Sequence, residues 1–290
     1  VVLNGDIIRT KNVVWSVNAN LTWVKNKVLS LPDSRKDITV DGHGGFINGS
    51  TFIGEGLSLN TYFMPTSAGV NPETGKARWN WFKKEYDDDG NEILDDMGNP
   101  VGEWTITEDY QNVSSDSDSW SLLQCSMPKV FGGFGTTLYA YGFDFSIAFD
   151  YQLGGWGYDG AYAGYMSSPT ASTAGKNYHL DLLDAWTPEN PNSEIPRFQL
   201  NDQYTTSTSD RFLIRTDYLN ISNINAGYTF PVQWWNGHIQ NLRVYVACDN
   251  VWYWSKRQGF DPRVSMSGGN GSFGGYSPMR VVSGGINLTF

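Results

Sequence analysis

Residues 143–153 read FDFSIAFDYQL, and this stretch decides the fold. Phe143, Phe145, Ile147, Phe149, Tyr151 and Leu153 fall on one face, and Asp144, Ser146, Ala148, Asp150 and Gln152 on the other. That two-residue period belongs to a strand that is apolar on one side and wet on the other. Residues 15–23, WSVNANLTW, follow the same rule, with Trp15, Val17, Ala19, Leu21 and Trp23 opposite Ser16, Asn18, Asn20 and Thr22. An aromatic at each end is what a lipid-facing strand with interfacial anchors requires. The carboxy-terminal residues repeat the pattern: Val282, Gly284, Ile286, Leu288 and Phe290 alternate with Ser283, Gly285, Asn287 and Thr289.

Weaker copies occur in GLSLNTYF from Gly56, ARWNW from Ala77, GGFGTTLYAY from Gly132, INAGYTF from Ile224 and LRVYVAC from Leu242. With a partial strand at Val1, the count is about nine. YHLDLLDAW from Tyr178 suits a short helix. The connections alternate between short and long. Short ones lie at Gly5 to Asn12, SAGVNPETGK, the Tyr141-Gly142 dipeptide and PVQWWNGHIQ; long ones run from about Val24 to Phe52, Asp87 to Pro128, Gly154 to Phe212 and Trp254 to Pro278. An up-and-down antiparallel sheet puts every second connection at the same end, and transmembrane barrels have short periplasmic turns and long outer loops. A soluble sandwich alternates its faces too, but gives no reason for the long loops to gather at one end.

The expected fold is therefore all-β, an antiparallel transmembrane β-barrel segment. Closing such a barrel requires its last strand to pair with its first, because an open edge leaves N–H and C=O groups unsatisfied in hydrocarbon. The terminal strand with Gly285, Asn287, Leu288 and Phe290 is the candidate for that closure, and its aromatic end suits the outer-membrane assembly machinery.

Composition agrees with strands and turns: Gly 32, Tyr 16, Phe 15 and Trp 12, with only 17% charged residues. The formal net charge of -10 argues against a nucleic-acid partner, which would need a basic face. Two cysteines, Cys125 and Cys248, are too few for a disulfide scaffold and lack metal-ligand spacing. No run reaches the ~20 apolar residues of a transmembrane helix.

At its carboxy-terminal end, RVYVACDNVWYWSKRQGFDPRVS followed by YSPMRVVSGGINLTF resembles SusC/RagA-type TonB-dependent receptors of Bacteroidota. In those receptors an N-aromatic-x-W-x-K-x-x-G-(F/Y)-D-P segment precedes a proline and a terminal G-x-N-(L/V)-x-F strand. The matching positions are Asn250, Trp254, Lys256, Gly259, Phe260, Asp261, Pro262, Pro278, Gly285, Asn287, Leu288 and Phe290. Upstream, AGVNPETGKARW is similar to the family's aGvdPeTG turn, with Asn71 where aspartate is more usual. The stretches MPKVFGGFGTTLYAYGFDFSIAFDYQLGG and IRTKNVVWSVNANLTWVKNKVLSLP also resemble family segments, so the likeness covers essentially the whole chain. The resemblance implies a 22-stranded barrel with an amino-terminal plug. Against it, residues 1–290 read as the carboxy-terminal portion, with the plug and the first strands not in this chain.

Chemistry-bearing clusters are few. His43, His179 and His238 are widely separated and have no partners at metal-ligand spacing. SMSGG (265–269) and GGFGTT (132–137) are neither a nucleophile elbow nor a phosphate loop. EYDDDGNEILDD places Glu85, Asp87, Asp89, Gly90 and Asp96 near the one, three, five, six and twelve positions of a calcium loop, with a solvated acidic loop as the alternative. Among aromatics of the long connections, Trp104, Trp120, Trp156, Tyr158, Tyr162 and Trp186 are candidates to stack on sugar rings, against packing within the loops or at the interface. Trp104, Trp156, Tyr158, Tyr162 and Trp186 form the candidate substrate set. Trp15, Trp23, Trp79 and Trp81 are girdle candidates. Asn18, Asn20, Asn223, Asn225, Arg243 and Asp249 should face the lumen, with Arg243 and Asp144 available either to a plug or to water.

The function implied by the resemblance is outer-membrane import of a large nutrient, an oligosaccharide or alternatively a peptide, without covalent chemistry and without a cofactor unless calcium binds. The implied partners are a SusD-like surface lipoprotein, the rest of the receptor with its plug, and TonB acting through that plug. A self-contained small barrel acting as pore or adhesin, and a soluble carbohydrate-binding sandwich, are the competing readings.

Overall fold

The computed structural model describes residues 1–96, 98–173, 175–235, 239–264 and 276–290, and its chain forms two compact units. The first comprises Val1–Asn26, Ser126–Gly157 and Ile214–Phe290; the second comprises Lys27–Cys125 and Tyr158–Leu213.

The first unit is a wall of seven antiparallel strands: β1 (Val2–Arg9), β2 (Val13–Trp23), β3 (Val130–Ala140), β4 (Phe143–Leu153), β5 (Tyr218–Thr229), β6 (Asn241–Ser255) and β7 (Val281–Thr289). Their spatial order is their sequence order, as an up-and-down sheet demands. The register carries the alternation from strand to strand. Trp15, Leu138, Phe145, Ala226, Val246 and Gly284 form one row across the sheet. This apolar face is not covered: Trp23, Phe134, Phe143, Val246 and Trp252 are all exposed. An apolar sheet face left open in water would be a liability, whereas hydrocarbon is its natural solvent.

Seven of the nine expected strands lie in this wall. The other two, around Gly56–Phe63 and Ala77–Trp81, belong to the second unit, so the SAGVNPETGK turn does not join wall strands. The alternation of short and long connections survives, because the stretch from Val24 to Lys129 then counts as one long connection. The first short connection is also tighter than expected: pairing of β1 with β2 continues through Arg9, across a bulge between Asp6 and Ile8, and leaves only Thr10–Asn12 as the turn. β1 and β7 are the two edges of the sheet among the described residues.

The β3–β4 hairpin shows how local sequence sets register. Tyr141 (φ 50) and Gly142 (φ 89) both have positive φ, as a two-residue turn matched to the right-handed strand twist requires. A Cβ on Gly142 would stand 2.7 Å from the Thr229 carbonyl oxygen of β5.

The second unit is built from a five-stranded sheet, ordered Trp120–Cys125, Thr61–Pro65, Thr51–Gly54, His43–Asn48 and Ile38–Val40, and a three-stranded sheet of Ser67–Val70, Ala77–Lys84 and Gly102–Thr107. Phe52 and Phe63 are fully buried at 0% exposure, and their rings pack in tilted contacts, Phe52 on Phe63 and Phe63 on Trp120. Burying such a side chain contributes about 1.5–3 kcal/mol each. Trp79, at 2% exposure, is core and not girdle: it packs edge-on against Tyr110 and Tyr204 and forms a cluster with Ala77 and Val113 that Trp81 joins. The strand period predicted that Trp79 would share one face with Trp81; it could not show that the face meets protein and not lipid. The helix expected at YHLDLLDAW reduces to a 3-10 turn over Leu180–Asp184.

Replacing Gly142 by alanine adds strain at a positive φ and a backbone clash, together about 1–3 kcal/mol. Gly142→Ala in the full receptor should lower the urea midpoint of barrel unfolding measured by heat-modifiable gel mobility, whereas Tyr141→Asn, suited to the same turn, should not.

Candidate functional site

The wall's polar face carries side-chain bonds between strands. Arg243 on β6 makes a two-pronged bond to Asp144 on β4, Nε to Oδ1 at 2.9 Å and Nη2 to Oδ2 at 2.6 Å. Its Nη2 also donates to the Asn225 side chain at 3.2 Å, and Asn223 donates to Asp249 at 2.7 Å. The expected lumen set thus divides. Asn223, Asn225, Arg243 and Asp249 are joined in side-chain bonds, while Asn20 accepts from the Gly133 amide. Arg243 is already neutralised within the wall.

Glycines on this face make room for large neighbours, a pattern the sequence reading passed over. Gly227 lies against the Arg243–Asp144 pair, and Gly285 of β7 opposes Tyr245 so closely that a Cβ there would stand 2.7 Å from the tyrosine ring. Of the terminal-strand candidates, Gly285, Asn287 and Leu288 pair with Tyr245, Arg243 and Leu242 of β6. Phe290 follows the last paired residue and is 77% exposed.

The aromatic candidates fall in several places, and Tyr158 and Tyr162 share one cluster. Trp104 is exposed on the strand Gly102–Thr107 beside Phe82, and Trp156 is half-buried. Tyr158 and Tyr162 pack on Phe212 in a core with Ala163 and Met166, and burial pushes the Tyr158 phenol up. The Tyr162 hydroxyl donates to Asp181 at 2.7 Å. Trp120 donates its indole N–H to the Val113 carbonyl.

Trp186 has a structural task. Its indole N–H donates to the Pro72 carbonyl at 3.0 Å, and its ring lies where a Cβ on Gly75 (φ 72) would be. It clamps the turn Asn71–Lys76, which is held from several sides. Glu108 accepts from the Asn71 amide at 2.5 Å and the Thr74 hydroxyl at 3.0 Å, and pairs with Lys76 at 3.4 Å. Arg197 donates to the Gly75 carbonyl from its backbone N–H and to the Thr74 carbonyl from its guanidinium, which is also paired with Asp202 at 2.8 Å. Burial raises the Glu108 carboxyl, but the hydrogen bonds from Asn71, Thr74 and Lys76 outweigh it and leave Glu108 below its ordinary range. The turn was visible in the sequence as NPETGK. Glu108 and Arg197, 34 and 123 residues from Thr74, carried no local signal.

In the acidic loop, which carries the four calcium candidates, Asp87 is engaged by neighbouring residues. Asp87 accepts from the amides of Asp89 and Asn91 and from the Asn91 side chain, forming a turn. Glu92 joins Asp116 and Asp118 around Lys84 at 2.9, 2.8 and 2.7 Å. Burial lowers the Lys84 ammonium, yet these three carboxylates outweigh it and hold Lys84 above its usual range. Among the described residues no group of three or more His, Cys, Asp or Glu stands where it could hold a metal ion. Asp95 and Asn99 repeat the Asp87–Asn91 turn eight residues on, with the Asn99 amide donating to Asp95 at 2.8 Å. Backbone N–H groups of Glu85, Val101 and Ile93 donate to the carbonyls of Val101, Ile93 and Glu85 in a closed ring of three. Neither cysteine is in a disulfide, and the Cys125 thiol donates to the Leu59 carbonyl. His238 and the SMSGG stretch lie outside the described residues.

No protein-family profile matches the chain. Individual relatives do. TonB-dependent receptor P3 of Formosa agariphila is 24% identical over 300 residues, covering 99% of this chain and 28% of the relative. TonB-dependent receptor P26 of the same organism is 26% identical over 298 residues, and SusC of Bacteroides thetaiotaomicron is 24% identical over 264. The chain is similar throughout to SusC/RagA-type TonB-dependent receptors. It spans 28% of the length of the two Formosa receptors and 23% of that of SusC. Among solved structures, the RagAB peptide transporter has a TM-score of 0.75 at 22% identity, covering 100% of this chain and 28% of that one, and the closed-closed RagAB peptide importer scores 0.74. The shared fold is the antiparallel receptor wall. Such receptors are outer-membrane β-barrels, and the outer membrane, crossed by strands, is this chain's location. Among the described residues no helix is long and apolar enough to span a membrane, which leaves strands untouched.

Two outcomes are expected. Arg243→Ala leaves Asp144 unpaired on a half-buried wall and should cost about 1–3 kcal/mol, read as a lower thermal midpoint of the detergent-solubilised receptor. A carboxylate with a lowered pKa contributes stability that is full above its unfolded value, about 4.3, and is lost as pH falls through the folded value. Hydrogen exchange at the Gly75 amide should therefore gain on its intrinsic rate below about pH 4, and Glu108→Gln should show the faster exchange already at neutral pH.

Proposed function

We propose that this chain is the carboxy-terminal portion of a TonB-dependent outer-membrane importer of a large nutrient, most simply an oligosaccharide. The observation that carries the reading is the wall: seven strands in sequence order, one face apolar and exposed, the other lined by hydrogen-bonded polar side chains. An apolar exterior and polar interior are the two surfaces of a transmembrane barrel enclosing an aqueous lumen. The edges at β1 and β7 call for neighbouring strands, which a 22-stranded barrel would supply. No covalent step is proposed for any residue.

In this reading the wall contributes barrel surface, the second unit lies in the long outer connections where substrate arrives, and β7 closes the barrel. A SusD-like lipoprotein would cover the outer mouth, and TonB would act through a plug in the rest of the receptor. Peptide import is the second reading, favoured by the structural likeness to the RagAB peptide transporter. A self-contained pore or adhesin would need the wall to close on itself, and β1 and β7 do not pair.

Deletion of the receptor gene should abolish uptake of a labelled oligosaccharide while sparing small sugars that pass general porins. Solubilised native complex, resolved on a denaturing gel with intact-mass analysis, should contain the plug-bearing polypeptide and a surface lipoprotein. Unchanged uptake of every oligosaccharide and peptide tested in the deletion strain, or a folded particle of the 290-residue chain alone, would overturn the importer reading.

A further inference from the structure

The second unit contains a cavity of about 430 Å³, within the range of about 300–1,000 Å³ that holds small ligands. Lys76 of the clamped turn lines it together with Glu108 and Arg197, which hold that turn, each already fixed by the bonds described above. The segment Asn201–Tyr204 lines the cavity as well, and two of its residues carry a positive φ, Asn201 at 59° and Tyr204 at 65°. For asparagine that conformation is cheap. For tyrosine it is an outlier that the surroundings must impose. The Trp79 and Tyr110 rings hold the Tyr204 ring from the core side, leaving tyrosine as the aromatic element of the cavity lining.

The polar groups divide into two kinds. Both cations are matched to carboxylates, Lys76 to Glu108 and Arg197 to Asp202, and Asp109 accepts from the Gln111 amide. The Asn201 and Gln203 side chains, by contrast, are exposed and hydrogen-bond no other described residue. Each offers a planar amide with a donor and an acceptor side by side. Counting the lining charges gives two cations, Lys76 and Arg197, against three acids, Glu108, Asp109 and Asp202. A net negative lining disfavours an anionic ligand, and two of the three carboxylates that an ammonium would seek are already paired with Lys76 and Arg197. An uncharged ligand dense in adjacent hydroxyls meets neither obstacle. Its vicinal hydroxyl pairs fit the free amides and the outward lone pairs of the fixed carboxylates, and its C–H face fits a tyrosine ring.

We infer that this cavity is a subsite for one neutral sugar residue of a glycan, an assignment that rests on the oligosaccharide import proposed above and names where on this chain the glycan is read. The test uses the complete receptor with its lipoprotein, screened against an array of neutral, uronate-bearing and sulfated oligosaccharides and of oligopeptides, followed by titration calorimetry of the best binder. Asn201→Gly removes one amide and accepts the positive φ without strain, and Gln203→Ala removes the other from an exposed position, so both should keep the parent's thermal midpoint. The expected result is a neutral glycan as best binder and about a tenfold weaker Kd in the double variant, as loss of a few hydrogen bonds dictates. A neutral glycan bound equally well by parent and variant overturns the subsite while import of glycan stands. A best binder that is charged or a peptide overturns the sugar assignment while the importer stands. Absence of binding by any glycan or peptide overturns both.

Discussion

Everything in the wall depends on one constraint: in hydrocarbon a backbone N–H or C=O has no water to turn to, so each must find its partner in a neighbouring strand. That requirement makes the two-residue period audible in the sequence, because a strand bonded on both edges has only its two faces left to differ. It also explains why register is exact over β2, β3 and β4, where eleven consecutive residue pairs match without a shift between β2 and β3 and again between β3 and β4. A one-residue slip would turn Asp144 and Asp150 toward lipid. Bulges are confined to β1–β2 and to β5 with its neighbours.

What the sequence made legible follows from the same constraint. Phe143–Leu153 and Trp15–Trp23 announced themselves because lipid and lumen impose opposite demands on alternate residues. Trp79 misled because its strand has the same period but is buried on protein. The short-and-long order of the connections remained readable even though two strands assigned to the wall belong elsewhere.

The candidate site was far less legible, for a reason rooted in distance along the chain. The NPETGK turn was visible, but what fixes it comes from Glu108, Trp186 and Arg197, residues with no periodic or motif signal of their own. Trp186 shows the ambiguity most directly: an aromatic in a long connection reads equally as a sugar platform or as packing, and here its indole N–H is bonded to Pro72. The cavity lining at Asn201–Tyr204 was silent because a positive φ on tyrosine leaves no trace in composition. Glycines of the polar face were silent too, since Gly227 and Gly285 are explained only by the large side chains opposite them.

The closed ring of backbone bonds among Glu85, Ile93 and Val101 gives the acidic tip a counting rule. The three residues are spaced by eight, so each turn of the Asp87–Asn91 kind returns the chain to an equivalent rung, and the third rung bonds back to the first. The arrangement is a local threefold pseudosymmetry written into a single chain. Each of the three residues therefore commits its own N–H and C=O to the other two.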